Sequence, residues 1–431
     1  VTEPPVANND FVALQGDTPA TFDIFANDTD SDGTIDEQSA EIISQPTHGT
    51  VTLVQVGEDD YEIQYTADGS GYMGLDSFTY RVADNLGAYS NVATVQFSIA
   101  PEGGILVTNL TDTSPNNRVT LRRAIQAANS DTSVGVAPAG NGADIIMFDP
   151  ALFNGTAKTL IISQDLEITD SLTIIAPTSA EGAPLLTIDA YQNDRHFLID
   201  DGQVSDLVVR LENLKLTKGN LGDNGASIFN AENLVITNSE ITNNQSTSGL
   251  GGAIYNTGHL EVYDTLFQTN SSLYSSGGAI VSQSGTVILN DSTINQNTAE
   301  GFGGGIYAIN SDVTLNNSTL STNVSASGGG GGLYQDGGTL TINGSLITDN
   351  TTGAATDGAG LYLFNLTTTI TDSTFYLNRS SGSGAAIRQS NGSLTVRNST
   401  FYDNSALFGD GGAISSGALT TLLVNTTLSG N

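Results

Sequence analysis

Cysteine and tryptophan do not occur in these 431 residues, and only 12 lysines and arginines stand against 46 aspartates and glutamates. Each shortage closes off a class of chemistry. Without cysteine there is no disulfide, no thiolate nucleophile and no thiolate metal site. A net charge of −34 leaves no cationic surface for a grip on the nucleic-acid backbone, and it opposes docking on anionic lipid. No apolar run reaches the ~18 residues that a membrane-spanning helix needs, so no direct membrane insertion is expected. What is abundant is glycine, at 49 residues, together with Asn, Ser and Thr, a composition of turns and strands. The chain opens on Pro4-Pro5, ends inside a repeat at Asn431, and reads as a segment of a longer protein that works outside the cell.

The repeats carry the strongest signal. A small-residue block precedes an apolar residue at Ile228, Ile254, Ile280, Ile306, Leu333, Leu361, Ile387 and Ile414, in steps of 26, 26, 26, 27, 28, 26 and 27 residues. A second register holds Asn244, Asn270, Asn297, Asn323, Asn350, Asn378, Asn404 and Asn431. Three residues before each Asn sits an apolar residue, such as Phe267, Ile294 or Leu320. Between the registers lie short alternating runs such as Val313-Thr314-Leu315. Period-2 alternation broken by Gly, Asn and Ser turns predicts three strands per repeat. A single repeat cannot bury its apolar residues, whereas stacked repeats share one core. Residues 225–431 are therefore expected to form a right-handed parallel β-helix with rungs about 4.8 Å apart. The Asn register is expected at a turn, where Asn tolerates left-handed backbone and its amide can bond to the same amide one rung away.

Residues 105–224 read as the start of the same solenoid, less regular and capped. Leu121, Ala124, Ile125 and Ala128 fall on one face of a helix over 120–129, fit to cover the open edge of a first rung. Residues 1–100 form a separate small antiparallel β-sandwich, with strands expected at 20–25, 50–54, 61–65, 77–82 and 93–99. Residues 101–104 read as a linker. The expected fold class is thus all-β: a β-sandwich, then a right-handed parallel β-helix with an N-terminal capping helix.

At these residues the chain resembles known groups. The run from Val107-Thr108-Asn109 through Thr120–Ile125 to Ala127-Ala128-Asn129 is similar to the "SLREAI…AAN" opening of bacterial surface proteins, with Arg123 where that motif usually carries Glu. The GGAIY…NST units resemble the repeats of chlamydial-type polymorphic outer membrane proteins. The stretches 5–10, 26–33, 45–50 and 74–80 look like the cadherin-like and Ig-like tandem modules of giant bacterial adhesins. These resemblances imply a protein of the bacterial cell surface, secreted or held on the outer face, and imply no shared catalytic residue.

Asp28, Asp30 and Asp32 alternate in a D-x-D-x-D-G run. An EF-hand would need a bidentate Glu at loop position 12, and Ser39 stands there. Alternating carboxylates beside Asn27 still supply the hard oxygens that Ca2+ takes. The resemblance implies Ca2+ as well, with Asn9, Asp10 and Asp84 contributing. Residues 1–100 hold 17 acids against one base, Arg81.

For the rod, the residue after each core apolar position should point outward: Phe229, Tyr255, Val281, Tyr307, Tyr334, Tyr362, Arg388 and Ser415. Stacking along the sheet explains the aromatics among them; a platform for sugar rings is the other reading. An ice-binding face would need regular Thr at one register, and the middle-strand positions mix Thr314, Thr341 and Thr395 with Glu261 and Ile288. No base falls between residues 219 and 378. Acids there, such as Glu232, Glu240, Glu261, Asp264 and Asp291, show no pairing on adjacent rungs of the kind glycan cleavage requires. His196 and His259 stand alone. The expected role is therefore non-catalytic: an adhesin region, monomeric, attaching to a glycan or a cell-surface protein. A polysaccharide lyase or hydrolase on the same scaffold and a passive stalk are the alternatives.

Overall fold

The computed structural model describes residues 3–100, 103–113, 118–179, 181–192, 194–203, 207–353 and 356–431. The chain folds as two units, Val1–Asn154 and Gly155–Asn431.

In the first unit, β-branched and aromatic residues alternate along seven strands: β1 (Asp10–Gln15), β2 (Ala20–Phe22), β3 (Ile35–Ser44), β4 (Gly49–Gly57), β5 (Asp60–Ala67), β6 (Gly74–Asp84) and β7 (Ala93–Ala100). They make a sheet of order β1-β7-β6-β3 and a sheet of order β2-β5-β4. The sandwich is not purely antiparallel, because β1 runs parallel to β7. β1 and β3 have no counterpart among the expected strands. The fully buried Ile24, Ile63, Phe78, Tyr80 and Phe97 fill its core.

The expected linker is shorter than four residues: Pro101 and Glu102 lie outside the described residues, and Gly104 already opens β8 (Gly104–Val107). β8 pairs in parallel with β9 (Asp144–Phe148). Between them comes α1 (Leu121–Ser130), begun by the Thr120 hydroxyl accepting from the Arg123 amide and ended by Asp131 in left-handed conformation. Its buried face, Leu121, Ala124, Ile125, Ala127 and Ala128, packs on β8 and β9.

The second unit is a parallel solenoid. A typical rung has strands Ile254–Asn256, His259–Tyr263 and Leu266–Gln268, and then a two-residue strand, Ser271–Ser272, beyond the three expected. Equivalent strands stack in register from rung to rung, as Ile228 on Ile254, Ile280 and Ile306. The third strands alone form an 11-stranded sheet, and the two-residue strands an 8-stranded one. Turns absorb the variation in step length, so the columns inside remain unbroken. Ile254, Leu260, Val262 and Phe267 are fully buried, as are their counterparts on the next rungs.

The Asn register forms a continuous ladder. Each Nδ2 donates to the Oδ1 of the next Asn at 2.8–3.0 Å, from Asn244 to Asn431. Each also donates to a main-chain carbonyl, as Asn270 does to Ile241 at 2.8 Å. The ladder residues themselves are not left-handed. That conformation falls on the residue before each: Asn243, Thr269, Gln296, Thr322, Asp349, Leu377 and Asp403, with φ between 53° and 57°. A β-branched Thr there costs on the order of 1 kcal/mol or more, and the bonds on both sides of the turn hold it. A second ladder, absent from the sequence reading, runs through Ser239, Thr265, Ser292, Ser318, Ser345, Ser373 and Ser399, each hydroxyl accepting from the amide one rung back.

Candidate functional sites

Among the described residues, two trios of carboxylates bring their oxygens within 4.8 Å of one another: Asp30, Asp32 and Asp84, and Asp200, Asp201 and Glu232.

The first trio contains three of the seven expected metal residues. Asp84, at the end of β6, is buried; its Oδ1 accepts from the amides of Leu86 and Ala88 at 2.9 and 2.8 Å, which fixes the carboxylate. Its Oδ2 and the Oδ2 of Asp30 are buried without a hydrogen-bond partner. A Cβ on Gly33 would come within 2.6 Å of Asp30 Oδ2, so the glycine leaves room for that carboxylate. Buried, unpartnered anionic oxygens carry a large desolvation cost that a cation offsets.

The other four expected ligands lie apart from this trio. Asp28 accepts from the Asn8 amide at 2.7 Å and from the buried Tyr80 hydroxyl at 2.9 Å. Asn27 donates to Asp10 at 2.9 Å, and the side chain of Asn9 accepts from the Thr94 amide at 2.8 Å. Burial pushes the Asp10 carboxyl up to about 7, with the charge of Asp28 adding to it. The alternating aspartates are thus divided, with Thr29 between Asp28 and Asp30 bridged to Val6.

The second trio corrects the expectation that the rod's acids do not meet on adjacent rungs. Ile199 lies beside Asn230, so the turn after each strand brings Asp200 and Asp201 to Glu232. Glu232 is buried, and burial raises its carboxyl above the usual range, with Asp201 adding to the effect. Sequence spacing hides this because Asp200 and Asp201 precede the regular repeats.

The aromatic register does stack, but not as an open platform. Tyr255 is buried, with its hydroxyl donating to Gln283 at 2.6 Å; Phe229, Tyr307, Tyr334 and Tyr362 are half-buried. Ring centroids lie 5.5 Å apart for Phe229–Tyr255, 5.3 Å for Tyr307–Tyr334 and 5.5 Å for Tyr334–Tyr362. The glycine-rich turns lie over them: a side chain at Gly329 would collide with the Tyr362 ring. Phe302, from such a turn, sits 4.6 Å from Tyr334, and Phe364 lies 4.8 Å from Tyr362. The stripe is a second apolar seam between the first strands and the turns, and neither Phe302 nor Phe364 belongs to the repeat register that marks the others. The most exposed rings of the rod are on turn tips, Tyr274 at 79% and Phe408 at 84%.

His196 is fully buried. Nδ1 pairs with the Ser227 hydroxyl at 3.0 Å, and Nε2 faces the carbonyls of Ile188 and Thr217 at 3.0 and 3.1 Å. Two carbonyls require an N–H at Nε2, so Nδ1 accepts and the ring is neutral. Burial lowers its pKa to about 4.

Residues 2–98 match the bacterial Ig domain family, and two overlapping stretches, 196–365 and 269–431, match the right handed beta helix region. No curated protein matches the chain. Among solved structures, a family 28 exopolygalacturonase of Yersinia enterocolitica is 8% identical, with 84% of this chain and 85% of that one covered, at a TM-score of 0.20. A 2,6-sialyltransferase of a Photobacterium species, bound to CMP and lactose, is 10% identical, with 48% of this chain and 42% of that one covered, also at 0.20. At that level of similarity neither match bears on what this chain does.

Proposed function

Because the chain belongs to the right-handed β-helix family and carries a bacterial Ig domain, we propose that it is a non-catalytic attachment region of a bacterial surface protein. The observation that carries this reading is the joining of an Ig module and a long solenoid in one chain. The buried polar residues of the regular rungs support it, since their ladders commit them to rung-to-rung pairing. The partner is a neutral glycan or a cell-surface protein, met at the partly exposed rings of Phe302, Tyr307, Tyr334 and Tyr362. Immobilised chain should capture cells or glycans from an array, and Phe302→Ser should weaken capture with the circular dichroism unchanged. A blank array together with no cell capture would leave only a stalk.

A second reading is favoured by the trio around Glu232. A buried carboxyl pushed up beside other carboxyls is the pairing that glycan hydrolysis uses. Incubation with acidic and neutral polysaccharides, read by reducing ends, separates the two: release of products that is lost in Glu232→Gln would establish an enzyme.

Calcium belongs to the proposal as well. Asp30, Asp32 and Asp84 would hold Ca2+ through oxygen ligands, and the ion would lock β6 to the 30–33 turn. Chelation should lower the melting temperature of this domain by on the order of 10 °C from its value at a hundredfold excess of Ca2+ over Kd. Asp84→Asn should remove the difference. Identical melting curves with and without chelator would count decisively against the site.

A further inference from the structure

The turns of the rod bring together a feature that sequence spacing obscures. The strands Thr339–Asn343, Leu361–Thr371 and Ile387–Arg397 lie on consecutive rungs. Their registers align Thr339 with Thr367 and Ser393, and Thr341 with Thr369 and Thr395. Thr314 extends the second column by one rung. The intervening Leu340, Ile342, Thr368, Ile370, Leu394 and Val396 are buried, so these hydroxyls stand on the outer face. Thr369 is the member that completes the column; it lies in the run Thr367-Thr368-Thr369, where alternation gives no phase. The irregular residues Glu261 and Ile288 belong to earlier rungs, and Leu422 follows Thr395 on the next.

What distinguishes this face is that two hydroxyl columns stand side by side on the same three strands. At the ends of these middle strands, Asn316 donates to Asn290 at 2.9 Å and Asn343 to Asn316 at 3.0 Å. In the first threonine column, Thr339 donates to Asp312 at 2.7 Å and Ser393 to Thr367 at 3.4 Å, which steadies that side of the face. Among the described residues, the hydroxyls of the second column, Thr314, Thr341, Thr369 and Thr395, make no hydrogen bond within the protein. The two columns repeat at about 4.8 Å across the rungs and stand about 6.6 Å apart along each strand. The pairs Thr339/Thr341, Thr367/Thr369 and Ser393/Thr395 thereby make a small two-dimensional grid. Threonine is stiff at χ1, which fixes both its hydroxyl and its methyl. No register shift interrupts these pairings, and neither column contains an aromatic ring on which a sugar could stack.

We propose that the face formed by Thr339, Thr341, Thr367, Thr369, Ser393 and Thr395 binds ice. A crystal face of water is a lattice of donors and acceptors at fixed positions. A rigid grid with a full column of unpartnered hydroxyls, each beside a methyl, can match such a lattice with little loss of side-chain entropy. This activity goes beyond glycan or cell attachment and uses a different set of residues. Its test is slow growth of ice in a solution of the full chain, with the protein assayed in ice and liquid, alongside thermal hysteresis. The wild type should concentrate in the ice and show hysteresis. The double variant Thr341→Lys/Thr369→Lys should lose both while its circular dichroism and glycan capture stay unchanged. Val235→Lys, at the same strand position three rungs before Thr314, should retain both. Wild type left in the liquid overturns the proposal, whatever the glycan array gives. Retention on a crystalline polysaccharide without entry into ice also overturns it and assigns the face to a glycan.

Discussion

The Ig domain and the solenoid solve burial in opposite ways. In the first, Phe78, Tyr80 and Phe97 come from two neighbouring strands, and Tyr65 packs on them from the facing sheet at 5.0 Å from Phe97. Contacts there join residues from unrelated parts of the chain, and the buried interior is mostly apolar. In the solenoid a residue's neighbour is its own counterpart one rung away. A buried Asn is costly in an ordinary core because its partners must be found separately. Here the next rung supplies them, and Asn270, Asn297 and Asn323 are buried with their bonds made. Repetition therefore makes a polar interior tolerable, and it couples each rung to its neighbours.

The comparison breaks hardest at the apolar column. Ile280→Asp places an unpaired charge between Ile254 and Ile306, a cost on the order of 5 kcal/mol or more. Soluble yield and circular dichroism should report loss of the folded rod; an unchanged spectrum would contradict a shared core. Asn297→Ala should cost roughly 3–5 kcal/mol, since the amide and Nδ2 of Asn270 and the carbonyl of Phe267 all lose partners. Urea denaturation measures this, and an unchanged midpoint would contradict a bonded ladder. Acid gives a third test. His196 has its pKa lowered from 6.5 to about 4 by burial, so the folded state binds fewer protons than the unfolded one between those values. The contribution of His196 to the rod should be complete above pH 6.5 and fall by about 3 kcal/mol as the pH drops to 4. His196→Gln should flatten that dependence in pH-resolved melting. The smallest effect is expected in the seam: Tyr334→Ser should cost about 2 kcal/mol of packing, measured by the same denaturation.

Legibility in the sequence follows the same contrast. Eight copies of one pattern multiply a weak signal, so the apolar column, the Asn ladder and the strand phase are readable from the residues alone. The seam's overlying turns are not, because the position of Phe302 is held by Leu250, Ser276 and Gly329 in neighbouring repeats. In the Ig domain each strand occurs once. β3, with Asp36, Glu37 and Glu41 among its residues, lacks the apolar alternation that marks a strand. Of the expected Ca2+ ligands, Asp30, Asp32 and Asp84 come together, while Asn27 bonds to Asn9 and Asp10, and Asp28 to Tyr80. Spacing along a chain does not reveal which distant residues, such as Asp84 or Tyr80, meet each side chain, and a single copy offers no second instance to check. The Glu232 trio is hidden for a related reason, since Asp200 and Asp201 lie before the repeats become regular.

One consequence of the unbroken columns concerns inheritance. Steps between rungs vary from 26 to 28 residues while Asn meets Asn and Ile or Leu meets its like at every interface. Any rung can therefore be deleted, or copied beside itself, and the new neighbours still find the columns they need. Unequal recombination within such a gene would change the length of the protein without dismantling its fold. Copy number is then a heritable dial, and reach can vary between descendants while every rung interface stays the same.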